Sequence, residues 1–177
     1  MQETQPRFVP LAAKTAVCHT ITYFVMGLLA YHFLHYEQTL NHAGSGMRPT
    51  TSVWVLLGAP LQVFRGLLFA TVFYPFRSLL FERRNGWLLM CWLLIGIGIL
   101  GTFAAPAGSL EGFIYLTEPI GHQMRGYLEV MSQALLLSWL LCYWVNHPEK
   151  KWMNWMLGAL FAICIALPLL GLLAQKR

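Results

Sequence analysis

From Trp152 to Leu173 the chain runs through 22 residues without a single charged side chain. As a helix such a stretch spans about 33 Å at 1.5 Å per residue, enough for a hydrocarbon core of about 30 Å. Four further apolar stretches stand beside it, so the sequence predicts an all-α polytopic membrane bundle of five transmembrane helices. The expected spans are 16–36, 60–81, 87–103, 122–145 and 152–173, forming one integral membrane domain over 1–177. Composition agrees: 11% of residues are charged and 57% hydrophobic, where a soluble domain carries about a quarter charged. Seven acids and 12 Lys and Arg cannot cover a soluble surface.

The boundaries follow from local chemistry. The first stretch is too long for a signal-peptide core and has no A-x-A site after it, so it reads as a span. Gly58-Ala59-Pro60 interrupts the second, and proline suits a first helical turn, which starts the span near Pro60. Val53–Leu57 then becomes an interfacial or re-entrant lead-in with Trp54 at headgroup level, and Pro75 is a predicted kink. Ala104–Gly121 holds two prolines and three glycines around the short apolar run Gly112–Leu116. That run cannot cross a bilayer and reads as an interfacial or re-entrant segment.

Basic residues set the orientation. With the N-terminus inside, Arg7, Lys14, Arg77, Arg83, Arg84, Lys150 and Lys151 lie on the cytoplasmic side, and Arg48, Lys176 and Arg177 opposite. Seven against three predicts N-in and C-out, with the C-terminal basic pair dissenting. The net charge of +5 is therefore an orientation signal, and nucleic acid is not an expected partner. The composition is that of a small bacterial inner-membrane protein, with membrane lipids and a homo-oligomer or larger membrane complex as expected partners.

Several patterns resemble chemistry without its context. Gly96-Ile-Gly98-Ile-Leu-Gly101 has the letters of a dinucleotide loop but sits in a span with no preceding strand, so it reads as helix packing, as do Gly158, Ala162 and Ala166. The absence of any Asp removes aspartyl pairs and EF-hand loops. Neither H-E-x-x-H nor G-x-S-x-G is present, and Ser109 in its Gly-rich surroundings is a weak nucleophile signal. Cys18, Cys91, Cys142 and Cys164 form no CxxC and read as small hydrophobes. His32 and His35, at i, i+3 and followed by Glu37, are the candidate metal ligands, with Glu111, Glu118 or His122 to complete a shell. Boundary histidines commonly bond to headgroups or water instead, so no metal and no cofactor is expected. A haem fares worse, for lack of an opposed histidine, and His19 with His147 is the remaining pairing.

The charges inside the spans are the most informative feature. Arg125, Glu129 and Gln133 recur every four residues and form one stripe, with His122 a turn earlier. On the second span Gln62 and Arg65 share a face. Arg65 lies about 7.5 Å below Pro60 at helical rise, and Glu129 a similar depth below Met124. An unpaired charge near mid-bilayer costs about 2.5–3.5 kcal/mol on insertion scales, so partners are expected. Arg65 is expected to meet Glu129, and Arg125 to meet Glu111 or Glu118. The residues of this outer-facing cluster are a structural glue or line a binding cavity. The expected function is a non-enzymatic subunit, lipid- or ligand-binding module or scaffold. The alternatives are a transport or channel component, and an enzyme acting on a lipid or lipid-linked substrate.

Overall fold

A computed structural model describes residues 6–34, 48–49 and 51–175. Among these residues the chain is helical, with no strand. The α-helices are α1 (Phe8–Phe33), α2 (Val53–Leu56), α3 (Gly58–Phe73), α4 (Gly86–Ile95), α5 (Leu110–Tyr115), α6 (Ile120–Gln123), α7 (Tyr127–Asn146) and α8 (Lys151–Gln175). Three helical stretches are long and apolar enough to cross a membrane: Phe8–Phe33, Ile120–Asn146 and Lys151–Ala174. They make the chain compatible with an integral membrane protein. Gly86–Leu100 is apolar but shorter.

The first helix starts well before the expected Ala16. Leu11 N–H is the first donor the helix must satisfy, to Arg7 O at 3.1 Å. Pro10 therefore falls among the leading residues whose N–H groups have no intrahelical acceptor, and it does not delay the helix. Lys14 becomes part of α1, with its Nζ donating to Trp144 O at 2.9 Å. The end near Tyr36 lies outside the described residues.

The second apolar stretch carries Pro60 in its first turn, as expected. At Pro75 the α-helix tightens into a 3₁₀ turn over Tyr74–Phe76, and a π-helical turn follows over Ser78–Glu82. Proline removes one N–H, and the helix re-pairs its neighbours by changing pitch. The third stretch also ends in a π turn, Gly96–Leu100, where Gly101 N–H reaches Gly96 O at 2.8 Å.

α1 lies at the centre, packed against α3, α7 and α8, while α4 packs against α7. Its residues Thr15, Ala16, Cys18, His19, Thr20, Ile21 and Thr22 are all buried, which places buried positions around most of its circumference. Such a helix needs small residues for close neighbours. α3 approaches α1 closely at Gly66, where a Cβ would stand 2.5 Å from Ala16 Cα. Thr15 and Thr22 return their hydroxyls to Leu11 O and His19 O within the helix, the usual escape for a hydroxyl away from water. Leu11, Phe73, Leu80, Met90, Leu137, Leu141 and Leu157 build the apolar core around it.

The glycines expected to pack do not. Around Gly96, Gly98 and Gly158 no atom lies within 4 Å of an added Cβ, and Gly101 meets only its own helix at Gly96 O. Ala162 and Ala166 are exposed with Gly158. Close packing is instead served by Gly66, which forms a small-xxx-small pair with the buried Ala70 one turn on.

Candidate ligand cavity

A cavity of about 410 Å³ lies between α1, α3, α4 and α7. Its polar lining comes from His19 and Tyr23 of α1, Arg65 of α3, Gln123 of α6, and Tyr127, Glu129 and Gln133 of α7. Phe69, Leu94, Val130 and Leu137 supply apolar wall. This combination of apolar walls with a few converging polar groups, in the range of about 300–1,000 Å³, is the usual form of a small-molecule site.

Of the residues expected in the cluster, Arg65, Glu129 and Gln133 face this one cavity. The i, i+4 spacing of Glu129 and Gln133 places them on one side of α7, and the α1–α3 crossing at Gly66 brings Arg65 alongside. The Arg65 guanidinium lies over the Phe69 ring at 5.5 Å, a cation–π contact one turn along its own helix. Tyr23 lines the same cavity as Arg65 and Glu129.

Gln62 has a different task. Its Nε2 donates to Gly58 O at 3.2 Å, which turns Oε1 toward His19 Nε2 at 3.0 Å. A carbonyl oxygen only accepts, so His19 carries its proton on Nε2 and leaves Nδ1 as a lone pair. That Nδ1 is buried without a partner, as is Thr20 Oγ1. His19 packs edge-on against Phe69 at 4.9 Å and is 1% exposed. It does not join His147, whose Nδ1 lies 2.8 Å from Tyr143 O.

The rest of the expected cluster stands elsewhere. Arg125, Glu111, Glu118 and His122 are exposed and do not line the cavity. His32 is exposed against Phe33, and His35 lies outside the described residues. No three His, Cys, Asp or Glu converge on a metal position among the described residues.

The segment 104–123 forms a cap held by side chains that the charge pattern does not single out. Gln123 is 4% exposed and uses both ends of its amide: Gly108 N–H donates to Oε1 at 3.3 Å, and Nε2 donates to Glu118 O at 2.8 Å. Tyr127 donates its hydroxyl to Gly108 O at 2.5 Å. Gly108 has φ +84°, and a Cβ there would lie 2.9 Å from the Tyr127 ring and 3.0 Å from Gln123 O, so conformation and space both demand glycine. Ser109 is a structural N-cap, accepting from Gly112 N–H at 2.9 Å and donating to Pro106 O at 2.8 Å. Pro106 and Ala107 of this cap line the cavity. The signal for Gln123 and Tyr127 was their place at the mouth of the fourth span beside a Gly- and Pro-rich segment, which needs polar partners for its irregular backbone.

Comparison with known proteins finds no matching family model, no matching curated sequence and no matching solved structure.

Proposed function

We propose that this chain is a non-enzymatic, multi-pass module of a bacterial cytoplasmic membrane that binds a lipid or other small amphiphile in the cavity between α1, α3, α4 and α7. In this reading five helical segments cross the bilayer, N-in and C-out, and 104–123 is the re-entrant cap of an outer-facing site. The lysine and arginine asymmetry supports the orientation. One observation carries the binding reading: a cavity of about 410 Å³ that gathers Arg65, Glu129 and Gln133 from two helices under a hydrogen-bonded cap.

A transport role is the second reading. It draws on the irregular backbone at Pro106 and Ala107, because non-helical chain within a membrane is tolerated where it lines a cavity. The two are separated by native mass spectrometry of the full chain from gentle detergent, followed by flux assays in proteoliposomes. A retained amphiphile without flux supports the binding module, and flux of a solute supports transport. A chain that retains nothing and moves nothing contradicts both.

A further inference from the structure

The chemistry of the cavity is more specific than a general amphiphile site. Resting on the binding reading above, we propose that the cavity seats the headgroup of a phospholipid with a primary ammonium, its phosphate at Arg65 and its ammonium at Glu129. The acyl chains then lie along the outer face of α3.

Three observations converge on this ligand. First, the cavity wall carries one guanidinium and one carboxylate, on α3 and α7. A zwitterion matches both, whereas a purely anionic headgroup sets its charge against Glu129. Arginine offers a planar fork of donors that fits two phosphate oxygens together, and the Phe69 ring beneath it holds that fork in place. A carboxylate has lone-pair sites for several donors, so an ammonium adds to the bonds Glu129 already makes.

Second, Arg65 both lines the cavity and is exposed on the outside of the chain. Leu68 and Val72, at i+3 and i+7 on the same side of α3, are exposed as well. An apolar track therefore runs from Arg65 along the helix. A free headgroup makes no use of this track, but a diacyl lipid does.

Third, the carboxylate distinguishes amines. A primary ammonium has three N–H donors for Glu129, the Gln133 amide oxygen and the Tyr23 oxygen. A trimethylated ammonium has none and is bulkier. The site accordingly selects phosphatidylethanolamine over phosphatidylcholine, although both are zwitterions.

The test is native mass spectrometry of the delipidated full chain titrated with dioleoyl phosphatidylethanolamine, phosphatidylcholine and phosphatidylglycerol, with water-soluble glycerophosphoethanolamine as a fourth arm. The ethanolamine lipid is expected to bind about tenfold more tightly than the choline lipid, and at least a hundredfold more tightly than its deacylated form. Arg65→Gln is expected to abolish retention of all three lipids. Glu129→Gln is expected to keep lipid binding and lose the ethanolamine preference. Melting in lipid-free detergent checks the fold of each variant, and Arg65→Lys, expected to weaken binding about tenfold, stands in if Arg65→Gln does not fold. Equal binding of the two zwitterionic lipids, or of glycerophosphoethanolamine and the intact lipid, overturns the proposal. So does a Glu129→Gln chain that keeps the preference. Lipid binding that depends on Arg65 without headgroup preference leaves the binding reading standing and removes this one. A wild-type chain that binds no lipid removes both.

Discussion

His19 Nε2 and Gln62 Oε1 meet at 3.0 Å across the contact between α1 and α3. Two polar side chains in apolar helices thus bond to each other one turn from Arg65, and the helix contact they join forms a wall of the cavity. Interhelical hydrogen bonds in membranes couple by about 0.6 kcal/mol on average and up to about 1.7. His19→Leu and Gln62→Leu are each expected to lower stability, and their double-mutant cycle to show coupling in that range. His19→Gln, which places an amide N–H where Nε2 stood, is expected to recover most of the loss. Additive single effects in a steric-trap or denaturant assay contradict the pairing.

Gly66 sets the distance between the same two helices. A Cβ there meets Ala16 Cα at 2.5 Å, a backbone atom that cannot step aside. Gly66→Val is expected to destabilise the chain by about 1–3 kcal/mol through overpacking. Gly158, with open space around it, gives the opposite expectation: Gly158→Ala gains up to about 1 kcal/mol of helix propensity. Thermal melts of the two variants compare them directly, and equal losses contradict this packing.

The cap hangs on Gly108. An alanine there adopts a left-handed backbone at about 1–2 kcal/mol and also pushes on Tyr127. Gly108→Ala and Tyr127→Phe are both expected to speed hydrogen exchange over residues 106–118 while α1 and α8 keep their protection. The tyrosine variant loses one hydrogen bond, about 0.5–1.5 kcal/mol, and is the milder of the two. Unchanged exchange in both variants contradicts a cap fastened at this point.

All four cysteines are buried, the most exposed being Cys91 at 6%. In the folded chain they are expected to resist a membrane-permeant maleimide and to label together on unfolding. Rapid labelling of any one under native conditions contradicts the packing around it.

The all-helical, apolar character was legible in the sequence, because apolar length and proline position follow from bilayer thickness and backbone chemistry. Of the five expected spans three, the first, fourth and fifth, correspond to helical stretches long and apolar enough to cross a membrane. Pro60 in a first turn and the departure from α-helix at Pro75 are both as the sequence predicts. Of the polar cluster, Arg65, Glu129 and Gln133 were legible from helical spacing, since a charge within an apolar stretch needs a reason to be there. The pairing of Gln62 with His19 across two helices was not legible. Gln62 shares a face with Arg65 yet turns to His19, because its amide is drawn back to Gly58 O and its oxygen faces α1. Spacing within one helix cannot reveal which neighbour lies across it. Gly66 and Ala70 stand one turn apart as small residues, but which helix approaches them belongs to a pair of helices, and that Ala16 lies opposite Gly66 could not be read from one of them.

The space beside Gln133 is expected to hold lipid. The most direct measurement is site-specific photo-crosslinking in native membranes, with a photoreactive residue at position 133 and a control at Leu170, which is 60% exposed on α8. An ethanolamine phospholipid adduct is expected at 133, lost on Arg65→Gln, and an unselective mixture of lipids at 170. The same unselective mixture at both positions, or no adduct at 133, contradicts it.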